Sequence, residues 1–253
     1  MTITEILRKE YDYLSKTHEV YGVFVSGPQN YGLATNDTKL NSKAIIIPSF
    51  KDLILKEPIN KVLDFGCGKC EVKDIREVVK NFKNQKAEFL EILFTMHFVV
   101  NPKYEKFHDE ILQNRGDIVW MDCKRSLEYM LGLLSNAKTR MTKPTKATKD
   151  EIAKNGYHKE SLIEALRIAF MVDKFAKRRM YSDVIDGSNL VKFREKDISK
   201  GSAIATVEKY EAIARKTAND YVAAKKPTVD EKASKWLDDW MVKIIFYSMQ
   251  RTK

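Results

Sequence analysis

Residues 25–43 read VSGPQNYGLATNDTKLNSK and carry the strongest evidence about the fold of this chain. A short β-branched and aromatic run over Val20–Val25 predicts a strand that ends at this Gly-rich turn. A second strand is predicted over Lys43–Ile47, where Pro48 closes it. Glycine allows a sharp turn and a close approach of the backbone to a ligand. The segment therefore predicts two neighbouring strands joined through a Gly-rich turn.

The predicted secondary structure changes from mixed strands and helices to helices alone near residue 100. Before it, apolar spacing and caps predict a helix over 4–16, a short helix over 50–55 capped by Ser49, strands over 61–65 and 70–72, and helical turns from Asp74 to Met96. After it, the spacing predicts helices near 103–113, 116–138, 149–155, 159–179, 204–225 and 229–250, a polar linker over 142–148, and a loop or small hairpin over 181–203.

Segregated elements of this kind predict an α+β fold. We expect a small mixed sheet with helices over residues 1–100 and an all-helical, basic domain over residues 101–253, with a cleft between them. An aromatic series on the last predicted helix is expected to pack against the rest of the protein rather than to hold a cofactor. It consists of Trp236, Trp240, Phe246 and Tyr247.

The positive charge is concentrated in the second half of the chain. The net charge is +10, yet residues 1–100 hold 14 Lys and Arg against 13 Asp and Glu, whereas residues 101–253 hold 31 against 22. A basic excess confined to one half indicates an anionic partner, with nucleic acid the first candidate. Solubility in a lysine-rich proteome is the alternative explanation.

The best nucleic-acid candidates lie in an acid-free window over 138–149 and at a basic helix end over 174–181. Lys and Arg neutralise phosphates, and an aromatic side chain nearby can stack on a base. A solvated helix end, whose cations complement the helix dipole, is the alternative. The predicted contact residues, which include one further arginine, are Lys138, Arg140, Lys143, Lys146, Lys149, Arg167, Lys174, Lys177, Arg178 and Arg179.

The sequence predicts a cytoplasmic protein without membrane contact. The N-terminus lacks the apolar core of a signal peptide, and the longest apolar stretches, 44–48 and 94–100, are too short to span a bilayer. The three cysteines give no disulfide framework.

Two other motifs permit alternative interpretations. Val62–Cys70, VLDFGCGKC, is similar to the S-adenosylmethionine-binding turn of class I methyltransferases, although a Gly-rich hairpin turn explains it better because no alternating strands and helices follow. Cys67-x-x-Cys70 is compatible with zinc binding or redox chemistry, but there is no second pair, so half-buried thiols near a turn are favoured.

Residues 27–33 and 43–50 together resemble the RlaP-type predicted nucleotidyltransferases, a family of the DNA polymerase beta-like superfamily common in bacteria and their phages. The resemblance extends over roughly residues 20–250. Its further matches are Val72–Arg76, Glu88–Thr95, Asn101–Tyr104, Gly156-Tyr157 and Arg167.

The resemblance implies an active site in which a Gly-Ser turn and two aspartates on a neighbouring strand hold two Mg²⁺ ions and a triphosphate, aided by a third carboxylate. In this chain the Gly-Ser pair is Gly27-Pro28, the aspartate positions are Lys39 and Asn41, and Glu71 matches the third carboxylate. A lysine ammonium repels a divalent cation instead of binding it. Two further polar positions of the family fall on Glu160 and Glu164.

We therefore expect a catalytically degenerate nucleotidyltransferase-fold protein that needs no cofactor or metal and binds RNA, nucleotide or a partner protein. The family's distribution indicates a phage or mobile-element factor, such as a defence inhibitor with a host protein partner. The alternative is an active Mg²⁺-dependent enzyme that uses Glu71 and Asp37. The predicted nucleotide- or phosphate-binding residues are Gly27, Gln29, Asn30, Tyr31, Lys39, Asn41 and Lys43.

Overall fold

A computed structural model describes residues 1–56, 58–196 and 198–250 and has the predicted α+β architecture. The strands are β1 (Glu19–Ser26), β2 (Asn41–Ile47), β3 (Asn60–Asp64), β4 (Lys69–Asp74) and β5 (Phe98–Val100). The α-helices are α1 (Ile3–Leu14), α2 (Phe50–Ile54), α3 (Ile75–Lys83), α4 (Ala87–Leu90), α5 (Glu105–Trp120), α6 (Cys123–Thr142), α7 (Lys149–Asn155), α8 (Lys159–Ala176), α9 (Tyr181–Ile185), α10 (Val191–Glu195), α11 (Lys200–Lys225) and α12 (Glu231–Gln250). None of the described helices combines the length and the apolarity that a membrane crossing requires.

The five strands form one mixed sheet in the order β3-β4-β2-β1-β5. Strands β2 and β4 run parallel, and the other neighbours are antiparallel. Both β1 and β2 are buried almost throughout, because helices cover both faces of the sheet at its centre. The two strands flank the Gly-rich turn, so both ends of the turn are attached to rigid backbone.

Alternate residues of the central strands point to opposite faces of the sheet. One face packs on α1, where Leu7 and Leu14 join Val23, Ala44 and Val72 in a single apolar cluster. The core on this face holds the sheet and the first helix together.

The other face packs on helices that follow the sheet in the sequence. A small apolar cavity on this face is lined by Tyr21, Phe24, Ile45, Phe82 and Trp240, among other residues. Trp240 is 2% exposed, and its indole N–H donates to the carbonyl of Phe107 at 2.9 Å. The last helix therefore docks through Trp240 as expected, although Phe246 of the same aromatic series is exposed.

The Gly-rich segment after β3 is a hairpin turn, as favoured from the sequence. Strands β3 and β4 pair antiparallel, with Asp64 opposite Lys69. A Cβ at Gly68 would lie 1.5 Å from the carbonyl oxygen of Leu40, and Gly66 has φ +79°, so the fold itself requires both glycines. The three cysteines are free thiols.

Two compact units divide the chain. The sheet unit contains Met1–Asn30, Ala34–Asp122 and the residues from Val229 onward, and the helical unit contains Tyr31–Leu33 and Cys123–Thr228. Their bounds differ from residues 1–100 and 101–253, because α5 and α12 pack on the core of the sheet unit. The predicted division into domains and the predicted cleft stay predictions.

In the helical unit, α8 is the central helix. It packs against both α6 and α11, and Leu162, Leu166 and Phe175 on it are fully buried. Helices α6 and α11 run antiparallel, since Lys138 of α6 pairs with Glu211 of α11 at 2.9 Å while Ser135 accepts from Arg215 at 2.8 Å. The predicted polar linker over 142–148 separates α6 from α7.

The break between the first two helices of the second half was predicted at the wrong place. The predicted helices end at 113 and begin again at 116, whereas α5 continues to Trp120 and α6 begins at Cys123. Residues 115–117 are exposed, so their polar character interrupts the apolar spacing without ending the helix.

Two shorter elements also differ from the predictions. Helical spacing was expected through Met96, but α4 passes into a 3-10 turn over Glu91–Phe94, followed by the edge strand β5. The loop or small hairpin predicted over 181–203 is wrong, because the described part of that segment forms α9, a 3-10 turn over Ser188–Leu190, α10 and the start of α11.

Candidate functional site

The candidate site is centred on Glu71 of β4, the acid that matches the third carboxylate of the resembled family. Glu71 is in register with Lys43 of β2, and the Lys43 ammonium forms an ion pair with its carboxylate. Lys73, two residues further along β4, pairs with the second carboxylate oxygen at 3.0 Å. One acid thus pairs with two lysines on the same face of the sheet.

An aromatic ring supports the same lysines. The ammonium of Lys43 lies 4.4 Å from the ring centroid of Phe89, and that of Lys73 lies 5.9 Å from it. The face of an aromatic ring attracts a cation, and the attraction grows as the cation is desolvated. The Lys43 side chain is only 9% exposed, so Glu71 and Phe89 replace most of its contact with water.

The charges around Glu71 keep it ionised. Burial acts to raise the pKa of Glu71, but the hydrogen bonds and charges of Lys43 and Lys73 outweigh burial and lower the pKa below its usual value. An acid in this state holds its lysines in place and is poorly suited to accept a proton from a substrate hydroxyl.

The Gly27 turn contains a feature that the sequence analysis missed. The N–H of Gly27 donates to the carboxylate of Glu91 at 2.8 Å, and Glu91 is buried. Glu91 is the only charged residue in the otherwise apolar run Phe89–Leu93, and this was the only sign of it in the sequence. Its partner, 64 residues away in sequence, could not be identified from that pattern.

The predicted polar residues of the turn mainly hold the turn itself. The N–H of Asn30 donates to the carbonyl of Gly27 at 2.9 Å, and its side-chain amide donates to the carbonyl of Val25, also at 2.9 Å. The Gln29 amide donates to the carbonyl of Lys39 at 3.3 Å. Pro28 occupies the second position of this turn, where its fixed φ is favourable.

The two expected aspartate positions present no acid to a metal ion. Lys39 is exposed and lies before β2, so it does not share a strand face with the buried Lys43. Asn41 is the first residue of β2 and is exposed. Asp37, the substitute in the enzyme alternative, is exposed in a turn between Thr35 and Thr38, which bond each other at 2.9 Å.

This donor set does not fit a two-magnesium site. Mg²⁺ binds carboxylate oxygens and water in octahedral geometry, whereas both oxygens of Glu71 already face ammonium groups. In the part of the chain that the structure describes, no group of three or more His, Cys, Asp or Glu side chains is arranged to hold a metal ion. The cofactor and partner predictions stay predictions.

In the helical unit, Tyr31 and Arg167 form a stacked pair. The guanidinium carbon of Arg167 lies 3.9 Å from the ring centroid of Tyr31, and the carbonyl of Tyr31 accepts from the N–H of Gly187 at 2.8 Å. Both predicted binding residues thus have packing roles in the described structure.

The two family positions in the helical unit are also ion-paired. Glu160 pairs with Arg194 at 3.0 Å, and Glu164 pairs with Arg140 at 2.6 Å. Arg194 additionally donates to the carbonyl of Leu33 and so anchors that residue within the helical unit. An arginine thus pairs with each of Glu160 and Glu164, just as lysine pairs with Glu71.

The predicted nucleic-acid residues divide into engaged and available cations. Lys138 pairs with Glu208 and Glu211, Lys177 pairs with Asp173, and Lys174 donates to the carbonyls of Asp183 and Asp186. Arg178 is exposed and has φ 53°, the left-handed conformation at the end of α8. Within residues 1–56, 58–196 and 198–250, four of the predicted cations are exposed and in no ion pair: Lys143, Lys146, Lys149 and Arg179.

Comparisons with known proteins add little to this geometry. No protein-family model matches the chain, and no curated protein matches it either. Among solved structures, the chain is similar to the crystal structure of a nucleotidyltransferase-like protein from Exiguobacterium sibiricum 255-15. The two are 8% identical and superpose with a TM-score of 0.36, over 99% of this chain and 92% of the other. At this level of similarity, neither activity nor ligand carries over to this chain.

Proposed function

We propose that this chain is a catalytically degenerate protein of the nucleotidyltransferase type that binds RNA without transferring a nucleotide. The observation that supports the absence of catalysis is the environment of Glu71. Its carboxylate faces Lys43 and Lys73 instead of two further acids. Metal-assisted phosphoryl transfer needs carboxylates that hold the ions between the attacking and leaving oxygens. Lysines at this place neutralise the acid and repel the ions.

The available cations of the helical unit support the choice of RNA as the ligand. Lys143, Lys146 and Lys149 lie in or next to the exposed segment between α6 and α7, and Arg179 follows α8. A cation already paired with a carboxylate gains little from a phosphate, whereas an unpaired exposed cation releases counterions when it binds one. RNA contact is therefore assigned to these four residues rather than to the engaged lysines.

A transfer assay tests the catalytic half of the proposal. Purified protein is incubated with labelled ATP or CTP, Mg²⁺ or Mn²⁺, and RNA, and the products are separated by size. We expect no labelled product. Transfer that disappears in Glu71→Ala would establish the enzyme alternative and overturn the proposal.

A binding titration tests the RNA half. Fluorescence anisotropy with a labelled single-stranded RNA is measured over a series of salt concentrations. Each phosphate contact contributes about −0.7 to the slope of log K against log salt, so four contacts give a slope of about −3. The variant Lys143→Gln/Lys146→Gln/Lys149→Gln should weaken binding and reduce the slope by about 2.

The matched control removes the same charge from the sheet unit. Lys16, Lys51 and Lys235 are exposed there, and Lys16→Gln/Lys51→Gln/Lys235→Gln should leave the slope unchanged. Equal losses in the two triple variants would show that net charge alone drives binding. The role as a phage or mobile-element factor, such as a defence inhibitor, stays a prediction.

A further inference from the structure

A groove lies between α6 and α11 of the helical unit, at the end where α6 begins and α11 ends. Its volume is about 350 Å³, which is within the range of sites that bind small molecules. Leu127, Leu131 and Val222 supply apolar walls, and Ala223 lines the groove with a side chain too short to fill it. The groove therefore offers an apolar surface that can cover a flat ring.

Three polar side chains line the same groove: Lys124, Glu128 and Asn219. Lys124 and Glu128 form an exposed pair at 3.8 Å, and such a pair contributes little to stability, so both groups are open to other partners. The Asn219 amide is exposed and makes no side-chain hydrogen bond within residues 1–56, 58–196 and 198–250. A side-chain amide carries a donor and an acceptor next to each other. The groove thus combines apolar walls with a free donor and acceptor.

Two lysines extend the α11 wall of the groove. Lys225 and Lys226 follow Val222 by one helical turn, so they lie beside it at the end of α11. Both are exposed, and neither is in an ion pair in the part of the chain that the structure describes. Lysines at a helix C-terminus also complement the helix dipole, but that effect does not require a groove beside them. A nucleotide in the groove would meet apolar walls at its base and positive charge at its phosphate.

The groove lies at the opposite end of the helical unit from three of the cations already assigned to RNA, Lys143, Lys146 and Lys149. Helix α6 spans about 30 Å over its 20 residues, and those lysines come after its last turn, whereas the groove lies beside its first half. Arg179 lies at the groove end, because α8 runs antiparallel to α6: the N–H of His158 donates to the carbonyl of Met141 at 2.8 Å. One RNA strand can therefore reach both ends only if it extends along the helices.

We propose that this groove binds an adenine base of single-stranded RNA, and that the phosphate next to this base contacts Lys225 or Lys226. An asparagine amide matches adenine, because it accepts from the N6 amino group and donates to N7. Unstacked bases of single-stranded RNA expose their edges and faces, so the apolar walls can cover the ring. The inference rests on the proposed RNA binding and deepens it by adding a base contact to the phosphate contacts.

Base identity tests the occupant of the groove. Fluorescence anisotropy measures the affinity of the wild type and of Asn219→Ala for labelled oligoadenylate and oligouridylate of equal length. We expect the wild type to bind oligoadenylate at least about fivefold more tightly, since a bidentate pair of this kind discriminates between bases by this factor or more. Asn219→Ala should lose the preference and keep its salt slope, because no phosphate contact is removed. A wild type without the preference, as expected if a partner protein occupies the groove, would overturn the inference.

Filling the groove gives a second measurement that does not depend on the amide. Ala223→Leu places a larger side chain in the groove and should weaken oligoadenylate binding at least about fivefold. Ala212→Leu adds the same side chain at an exposed position of α11 outside the groove and should leave the affinity unchanged. Leucine has nearly the helix propensity of alanine, so both variants should keep α11. Equal affinities in Ala223→Leu, Ala212→Leu and the wild type would overturn the inference.

The same oligonucleotides separate this inference from the proposed function. RNA binding without a preference for adenine would overturn the inference alone, whereas no binding of either oligonucleotide would overturn the proposed function. In the second case, adenosine and uridine monophosphate are titrated separately while NMR follows the side-chain amide signals of Asn219. A shift with adenosine monophosphate alone would support the groove as an adenine site, and no shift with either nucleotide would overturn the inference as well.

Discussion

Lys43 and Glu71 face each other across the parallel strands β2 and β4, and the lysine ammonium donates to the carboxylate. The Lys43 side chain is 9% exposed and that of Glu71 is 29% exposed, so the pair is largely shielded from water. The acid that the enzyme alternative would use for catalysis thus stabilises a buried lysine. Lys43 in turn helps to lower the pKa of Glu71.

Breaking this pair should destabilise the sheet unit. Glu71→Gln leaves the buried ammonium of Lys43 without its main counter-charge, and we expect the free energy of unfolding to fall by about 2–4 kcal/mol. Urea unfolding followed by circular dichroism measures the change. The double variant Lys43→Met/Glu71→Leu replaces the pair with apolar groups and should recover most of the loss.

An ion pair with an exposed lysine in the same unit provides the control. Glu77 pairs with Lys80 at 3.4 Å on the surface of α3, where the Lys80 side chain is 66% exposed. Glu77→Gln should change the free energy of unfolding by less than about 1 kcal/mol. Similar losses at both positions would contradict a special role for the Lys43–Glu71 pair.

Glu10 should make the stability depend on pH in the opposite sense from Glu71. Burial raises the pKa of Glu10, and the hydrogen bond from Ser42 only partly offsets this. Its contribution is therefore complete below the pKa of the unfolded chain and is lost as the pH rises through the raised pKa of the folded protein. Glu10→Gln should be more stable than the wild type at pH 7, and this advantage should disappear below about pH 4. Urea midpoints of both proteins over this range measure the difference, and an advantage independent of pH would contradict the ionisation of Glu10 as its cause.

Arg167 should contribute to stability rather than to RNA binding. Its guanidinium stacks on the Tyr31 ring at 3.9 Å, and it also contacts the Met171 sulfur at 2.8 Å. Arg167→Lys loses the planar stack, so we expect a loss of about 0.5–2 kcal/mol in the free energy of unfolding and no change in the salt slope of RNA binding. A slope reduced by about 0.7 at unchanged stability would instead support the RNA contact that the sequence predicted.

Local chemistry explains which parts of the fold the sequence could predict. Ser49 and Asp52 form the expected helix cap, with the Ser49 oxygen accepting from the Asp52 N–H at 3.2 Å. The strands β1 to β3 were predicted because their β-branched and aromatic runs end at glycine or proline, and β4 was predicted because it follows the Gly-rich turn. The edge strand β5 is three residues long, and its pairing with β1 is set by tertiary contacts that no local pattern records.

The candidate site was predictable in its positions but not in its contacts. The resemblance to the nucleotidyltransferases pointed to Lys39, Asn41 and Glu71, yet it could not show that Lys43 would be buried against Glu71. That contact requires β2 and β4 to be adjacent and parallel, in a register set by packing on both faces of the sheet. The Gly27–Glu91 hydrogen bond likewise depends on the fold of the intervening chain.

The membership of α12 in the sheet unit has a consequence for synthesis on the ribosome. Trp240 packs on the face of the sheet opposite α1, yet it follows the helical unit in the sequence, and that unit is complete once residue 228 has emerged. The sheet must therefore wait for α12 before the core on this face closes. A nascent chain halted before α12 would expose Tyr21 and Phe24 to chaperones and proteases.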